Sequence, residues 1–285
     1  MQITELQSIA SQVRRDIVRQ VHACQSGHPG GSLGCADILV GLYFDQMNLK
    51  SNSDGTKPFN MNGIGEDLFF LSNGHISPVL YSVLARAGYF QPSELATFRK
   101  LNSRLQGHPT NHEHLEGIRI ASGSLGQGMS VAIGAAQAKK LNKDDSMVFV
   151  LMGDGEQNEG QVWEAAMYAP HHKVDNLVAI IDFNGQQIDG STDKVMNNRD
   201  LGAKYAAFGW NIMKMNGNDM ADVVKVLSEA RAFSGNGQPT MIIMATDMGA
   251  GVDFMMGSHK WHGVAPNDEQ LAAALAQLPE TLGDY

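Results

Sequence analysis

The sequence has 285 residues, of which 43% are hydrophobic and 18% charged, and this length allows one large α/β domain. Its formal net charge of −9 argues against a nucleic-acid surface, because binding phosphates electrostatically requires a basic patch. The two cysteines, Cys24 and Cys35, cannot form a disulfide framework for a chain of this size. We therefore expect a cytoplasmic protein that binds no nucleic acid.

The first segment of the chain predicts an amphipathic helix. Its apolar residues recur at helical spacing and are interrupted by charged ones, which excludes a signal peptide: Leu6, Ala10, Val13, Ile17 and Val21. No apolar run approaches the roughly 20 residues that a membrane span requires, so we expect no membrane association. Residues 51–65 are rich in Asn, Gly, Ser and Asp, and this composition predicts an exposed loop.

Short apolar runs further along the chain predict buried strands at residues 67–72, 147–152, 177–182 and 240–245. None alternates with period two, as expected when helices cover both faces of a sheet. Helical patterns lie between and after these runs, at residues 128–141, 161–168, 221–233 and 268–278. This alternation predicts an α/β fold with a mostly parallel sheet flanked by helices. We expect one domain over residues 1–285, with a helical N-terminal region.

The turn Gly153-Asp154-Gly155 directly follows a predicted strand and precedes a helix. In a parallel sheet this places it at a carboxyl end, where ligands bind. Glycines let the backbone approach a phosphate closely, and a following helix N-terminus favours negative charge. Asp154 offers a hard oxygen ligand, and Asn184 follows the next predicted strand, so both oxygens could reach one Mg²⁺ or Ca²⁺ ion. A Gly-Asp-Gly turn alone would be unspecific; the second oxygen ligand favours a binding site.

This turn, together with Asn184, resembles the diphosphate–metal motif of thiamine-diphosphate enzymes. Five further segments resemble transketolases and occur in that family's order: Ser26-Gly27-His28-Pro29-Gly30, Ser72-Asn73-Gly74-His75, Gly107-His108-Pro109, Gly123-Ser124-Leu125-Gly126-Gln127-Gly128 and His259-Lys260-Trp261-His262-Gly263. The resemblance extends from the first helix to about His262, which is nearly the whole chain. It implies the thiamine-diphosphate-binding fold.

The resemblance implies which residues bind thiamine diphosphate and the Mg²⁺ or Ca²⁺ ion that bridges its diphosphate. The implied ion ligands are Asp154, Asn184 and the backbone carbonyl of Gln186. The residues implied for the cofactor are His75, Gly123, Ser124, Leu125, Asp154, Gly155, Asn184, Ile188 and His262, with Asp182 nearby. One departure is Phe183, which stands where many relatives have an asparagine; it leaves the ion ligand Asn184 intact.

The resemblance also implies that several histidines act on substrate. Moving a two-carbon ketol unit between sugars requires hydroxyls to be held and protons transferred near neutral pH, which suits imidazole. The histidines implied as catalytic are His28, His75, His108 and His262. Structural roles are favoured for those without motif context, namely His22, His171, His172 and the loop pair His112 and His114.

Transketolases have a second α/β domain that supplies a glutamate for the aminopyrimidine ring and basic residues for the sugar phosphate. This chain has no segment for either feature before Tyr285. Either the sequence is a truncated transketolase or the enzyme is naturally split, and its polar ending favours the split. We therefore expect a heterotetramer with two copies of this chain and two of a partner that carries the pyrimidine-binding and C-terminal domains. The family places acids at the positions of Glu159 and Glu164 in an interface between subunits, although exposed acids near a helix N-terminus explain them nearly as well.

The expected function is that of an N-terminal transketolase subunit, which moves a two-carbon unit from a ketose phosphate to an aldose phosphate in the pentose phosphate pathway. A deoxyxylulose-phosphate synthase-like or dihydroxyacetone synthase-like subunit is an alternative, but Gly107-His108-Pro109 and His262 favour transketolase. A non-catalytic cofactor-binding subunit is another; the intact Asp154 and Asn184 weigh against it.

Overall fold

A computed structural model describes all 285 residues of the chain. Five parallel strands form its centre. In chain order they are β1 (Leu68–Leu71), β2 (Val148–Gly153), β3 (Leu177–Phe183), β6 (Asn211–Asn216) and β7 (Thr240–Ala245). They lie side by side in the order β1-β2-β3-β7-β6. Two short strands, β4 (Gln186–Gln187) and β5 (Gly190–Ser191), pair separately as an antiparallel hairpin. The predicted parallel sheet is thus confirmed.

The four strands predicted from apolar runs are all present, and each end lies within one residue of its expected position. The sequence does not predict β6. Only Met215 of this edge strand is buried, and the strand carries exposed Lys214, so it lacks the continuous apolar run that marks a strand covered on both faces. Residues 51–65 contain no helix or strand and are mostly exposed, as expected for a surface loop.

Ten α-helices accompany the sheet: α1 (Ile3–Cys24), α2 (Pro29–Gly34), α3 (Ala36–Gly41), α4 (Ser77–Arg86), α5 (Gly128–Leu141), α6 (Gly160–His171), α7 (Thr192–Val195), α8 (Leu201–Phe208), α9 (Met220–Phe233) and α10 (Asp268–Gln277). The predicted helices are present, and α6 extends three residues beyond its expected end. Helices α2 and α3 complete the helical N-terminal region. No helix is long and apolar enough to span a bilayer.

Helices cover the two faces of the sheet and bury two separate cores. Helices α1, α3, α4 and α9 pack on one face, whereas α5, α6 and α8 pack on the other. Strand β2 divides its side chains between them, with Phe149 and Leu151 in the first core and Val148 and Val150 in the second. Because both faces are buried, the strand is apolar throughout.

The connections between strands change face along the chain. Helix α5 precedes β2, and α6 joins β2 to β3; both lie on one face of the sheet. Helix α9 joins β6 to β7 across the other face. In an open parallel sheet, such a reversal opens a crevice beyond the carboxyl ends of the strands. The fold therefore positions a ligand site where β2, β3 and β7 end.

Candidate active site

A cleft of about 420 Å³ opens at the carboxyl ends of β2 and β3. Ten of the residues predicted for the cofactor, the ion or the substrate line it: His28, His75, Gly123, Leu125, Asp154, Gly155, Asn184, Gln186, Ile188 and His262. Ser124 is exposed and does not line the cleft. A larger cavity of about 610 Å³ at the ends of β6 and β7 contains none of these residues.

Asp154 joins the end of β2 to the segment that follows β3. The side chain is 2% exposed. Its Oδ1 accepts a hydrogen bond from the backbone N–H of Gly155, and its Oδ2 accepts one from that of Gly185, both at 2.7 Å. Burial, and after it the nearby Asp182 carboxylate, raises the pKa of Asp154 to about 7. The carboxyl group is therefore held by two backbone donors, but no cation offsets the cost of its negative charge.

Asn184 is held in one orientation by its neighbours. Its Nδ2 donates to Oδ2 of Asp182 at 2.8 Å, and its Oδ1 accepts from the backbone N–H of Gln186 at 2.9 Å. The Thr246 hydroxyl donates to the other oxygen of Asp182. Since an amide oxygen has two lone pairs, Asn184 Oδ1 keeps one for a further ligand.

The cleft has the donor chemistry of a site for a hard cation. Its buried acids Asp154, Glu156 and Asp182 form no ion pair with lysine or arginine. No group of three or more His, Cys, Asp or Glu side chains is arranged to hold a metal ion. A bound ion would therefore need amide and backbone oxygens beside a single carboxylate, a mixed set that Mg²⁺ and Ca²⁺ accept.

Four histidines from distant parts of the chain converge at the cleft. The ring centroid of His28 lies 5.1 Å from that of His75, 5.5 Å from that of His262 and 6.2 Å from that of His108. His75 and His262 stack with centroids 5.2 Å apart. His108 does not line the cleft itself; it packs against Gly123, where a Cβ would lie 2.4 Å from the imidazole.

Burial keeps these imidazoles neutral near pH 7. Burial, and after it the charge of neighbouring histidines, lowers the pKa of His28 to about 4 and that of His75 to about 3. Burial also lowers the pKa of His108 and of His262. A neutral imidazole has one nitrogen that donates and one that accepts a proton, so the cluster can exchange protons with hydroxyl groups.

The remaining histidines without motif context lie away from this cluster. His22 contacts Asp268 at 2.8 Å, and His171 and His172 end α6 beside Tyr168. His112 and His114 lie in and after an exposed turn of residues 111–113. Motif context therefore distinguished the clustered histidines from the others.

Comparison with known proteins finds relatives along nearly the whole chain. Residues 6–280 match the family model described as transketolase, thiamine diphosphate binding domain. The chain belongs to the transketolase family. This confirms the resemblance drawn from the six motifs, the thiamine-diphosphate-binding fold and the assignment to transketolase-type transferases.

Members of the transketolase family that resemble the chain include separate subunits. One subunit of the apulose-4-phosphate transketolase of Phocaeicola vulgatus is 38% identical over 282 residues, 99% of this chain and 96% of that relative. The 6-deoxy-6-sulfo-D-fructose transketolase subunit SqwG of a Clostridium species is 34% identical over 274 residues, 96% of each chain. The crystal structure of Campylobacter jejuni transketolase superimposes with a TM-score of 0.86 at 33% identity, over 98% of this chain but 43% of that one. The chain therefore spans less than half of that transketolase.

The motif-based reasoning missed four polar residues that line the cleft: Asn73, Glu156, Asn158 and Gln187. Asn73 Oδ1 is buried without a partner, as are the Nδ1 atoms of His28 and His262. Because most buried polar atoms are hydrogen-bonded, these three atoms at one cleft are available to a bound ligand. Asn73 belongs to the motif Ser72-Asn73-Gly74-His75, so its position in that motif could have identified it as a site residue.

Proposed function

We propose that this chain is the thiamine-diphosphate-binding subunit of a split transketolase, and that residues 1–285 form one diphosphate-binding domain. With a separate second subunit it transfers a two-carbon ketol unit from a ketose phosphate to an aldose phosphate, in cytoplasmic pentose phosphate metabolism. The observation that carries the proposal is the convergence of Asp154 and Asn184 with His28, His75 and His262 on one cleft.

A divalent ion, Mg²⁺ or Ca²⁺, binds to Asp154, to the side-chain oxygen of Asn184 and to the backbone carbonyl of Gln186. Two observations support this set. All three residues line the cleft, and the buried charges of Asp154 and Asp182 have no cation to compensate them. An ion at this position would favour the charged form of both acids, whose burial otherwise raises their pKa.

The cofactor diphosphate binds beside this ion, at Gly155, His75 and His262. Glycine suits the turn because a Cβ at position 155 would lie 3.0 Å from the Gln187 side chain. Gly123, Leu125 and Ile188 contact the rest of the cofactor, and exposed Ser124 contributes through its backbone. When bound, thiamine diphosphate supplies the electron sink for breaking and forming a carbon–carbon bond.

The histidine cluster holds substrate hydroxyls and moves their protons. His28, His75 and His262 line the cleft, and His108 lies against its Gly123 wall. Their lowered pKa values leave them neutral at pH 7 and therefore able to accept a proton from a hydroxyl. Two relatives are named for sugars that carry a phosphate or a sulfonate group. We accordingly assign a sugar phosphate as substrate here.

The active enzyme contains two copies of this chain and two of a partner with the pyrimidine-binding and C-terminal domains. Its relatives named as transketolase subunits support a separate partner. The outer face of α5 and α6 supports self-association, because it exposes Val131, Met167 and Tyr168. A groove of about 330 Å³ lies between these helices, beside Gly134 and Glu164. Exposed apolar patches of this kind mark protein interfaces.

The test is the rate of ketol transfer at a fixed concentration of this chain while the partner subunit is added. We expect no transfer without partner, and a rate that rises until the two chains are equimolar. Affinity for thiamine diphosphate should rise together with the rate, because cofactor binding and assembly are thermodynamically linked. Full activity without partner would show that the chain contains the whole active site.

A further inference from the structure

Glu156 is a buried carboxylate that lines the cleft and has no part in the ion or substrate chemistry described above. It is 1% exposed and lies in the short turn after Asp154. Its Oε1 accepts hydrogen bonds from the backbone N–H of Gly126, at 2.7 Å, and from the Ser72 hydroxyl. Its Oε2 accepts from the backbone N–H of Gly153 at 3.0 Å. One carboxylate thus connects the ends of β1 and β2 with the segment before α5.

That segment, residues 123–127, has few other polar contacts. Gly126 provides its only backbone N–H that donates to the protein, and the acceptor is Glu156. The Leu125 carbonyl accepts one long hydrogen bond, 3.3 Å, from the Gln161 side chain. The Ser72 hydroxyl also accepts from the backbone N–H of Gly128 at 3.0 Å, which extends the network to the start of α5.

Segment 123–127 forms one wall of the cleft. Gly123 and Leu125 line it, and His108 packs against Gly123. Gly126 has a positive φ of 85°, and a Cβ there would lie 2.9 Å from Glu159. The backbone conformation is therefore specific and close-packed, and a shift would alter both the wall and the support of His108.

We infer that Glu156 is a positioning residue, which holds segment 123–127 where it contacts the thiamine part of the bound cofactor. The inference rests on the proposed function. Glu156 acts through Gly126 and Ser72 and touches neither the ion nor the reacting atoms. It should therefore govern affinity for the thiamine part of the cofactor rather than for the diphosphate.

The variant Glu156→Gln tests this with almost no change in volume. A carboxylate accepts at both oxygens, whereas a glutamine amide accepts at one and donates at the other. Its NH₂ group must face Gly153 N–H on one side or Gly126 N–H and the Ser72 hydroxyl on the other. Either orientation places donor against donor and releases one end of the network.

The experiment compares two probes of the two-subunit complex by calorimetry in Mg²⁺: thiamine diphosphate and inorganic pyrophosphate. We expect Glu156→Gln to lower the affinity for thiamine diphosphate by about 10-fold or more, as is typical when a residue that supports a binding group is changed. The affinity for pyrophosphate should stay nearly unchanged. Ser72→Ala removes the hydroxyl shared by Glu156 and Gly128, so it should produce the same split. The double variant should bind thiamine diphosphate about as tightly as the more strongly affected single variant, because both residues act in one network.

Glu229→Gln is the matched control, since Glu229 is exposed on α9 and forms no ion pair; it should bind both probes like the wild type. Unchanged thiamine diphosphate affinity in Glu156→Gln and Ser72→Ala would overturn the inference. Equal loss of both probes with a lowered Tm would also overturn it, by showing a general structural role. If the wild-type complex itself failed to bind thiamine diphosphate, the proposed function would fail first.

Discussion

The buried acids of this protein fall into two regions that differ in how their charge is compensated. Outside the cleft, each pairs with an arginine: Asp16 with Arg86, Asp37 with Arg14, Glu66 with Arg119 and Asp67 with Arg231. At the cleft, Asp154, Glu156 and Asp182 accept hydrogen bonds but have no cationic partner. A buried charge without a partner is costly. The paired acids therefore serve the fold, and the unpaired ones mark where a cation belongs.

The largest effect should come from Asp154→Ala in the complex with the partner subunit. This change removes the only carboxylate among the proposed ion ligands and the acceptor of two backbone N–H groups. We expect Mg²⁺-dependent affinity for thiamine diphosphate to fall by about 100-fold or more, with Asp154→Asn recovering only part of it. Calorimetric titration measures the loss. The control is Asp145→Ala, which changes an exposed acid in a loop. Undiminished affinity in Asp154→Ala would contradict the proposed ion site.

An acid of the paired region should show the opposite pattern. Asp16→Ala leaves the guanidinium of Arg86 buried without its carboxylate, since both side chains are almost fully buried and joined at 2.8 Å. We expect a loss of about 3–5 kcal/mol in the free energy of unfolding, with cofactor affinity unchanged while the protein stays folded. Urea unfolding and a cofactor titration measure the two quantities. If Asp16→Ala bound the cofactor more weakly while keeping its full stability, the two regions would not differ in the way described.

Two histidines of the cluster, His28 and His108, should affect turnover rather than cofactor binding. His28→Ala and His108→Ala should each lose turnover by about 100-fold while thiamine diphosphate still binds, because they remove groups that hold hydroxyls or accept protons. His262→Ala should weaken turnover and cofactor binding together. Steady-state ketol transfer is the measurement, and His22→Ala, which removes a contact with exposed Asp268, is the control. Wild-type turnover in His28→Ala and His108→Ala would return both to structural roles.

A smaller effect concerns pH. The pKa of His75 is about 3 in the folded chain, below its unfolded value of about 6.5, so the unfolded chain binds more protons as the pH falls below 6.5. Between pH 7 and pH 5, this should cost the wild type about 2 kcal/mol of stability that His75→Asn does not lose. The raised pKa of Asp154 works in the opposite direction, so only the difference between wild type and variant is informative. Urea unfolding at both pH values measures the stability of each protein. An equal loss of stability in wild type and His75→Asn would contradict the lowered pKa of His75.

Much of the fold follows from the sequence because its signals are local. The runs at β2, β3 and β7 are buried on both faces, and their apolar continuity marks them directly. Strand β6 lies at the edge of the sheet and only Met215 of its six residues is buried, so its composition resembles that of a loop. The other edge strand, β1, is fully buried and was predicted, so local patterns identify a strand by its burial rather than by its place in the sheet.

The candidate site divides in the same way. The pairing of Asp154 with Asn184 could be predicted because carboxyl ends of neighbouring parallel strands meet at one edge. The contacts of Glu156 could not, since its donors Ser72 and Gly126 lie far away in sequence and no local pattern connects them. The position of His108 behind Gly123, rather than in the cleft, likewise depends on packing.

The claim that the cleft around Asp154 and Asn184 holds a divalent ion for the cofactor is tested most directly by removing the ion. The two-subunit complex is titrated with thiamine diphosphate in Mg²⁺, after treatment with EDTA, and after Mg²⁺ or Ca²⁺ is restored. We expect tight binding with an ion, weak binding in EDTA and recovery when the ion returns. Equal affinity with Mg²⁺ and with EDTA would contradict the assignment of Asp154, Asn184 and Gln186 as ion ligands.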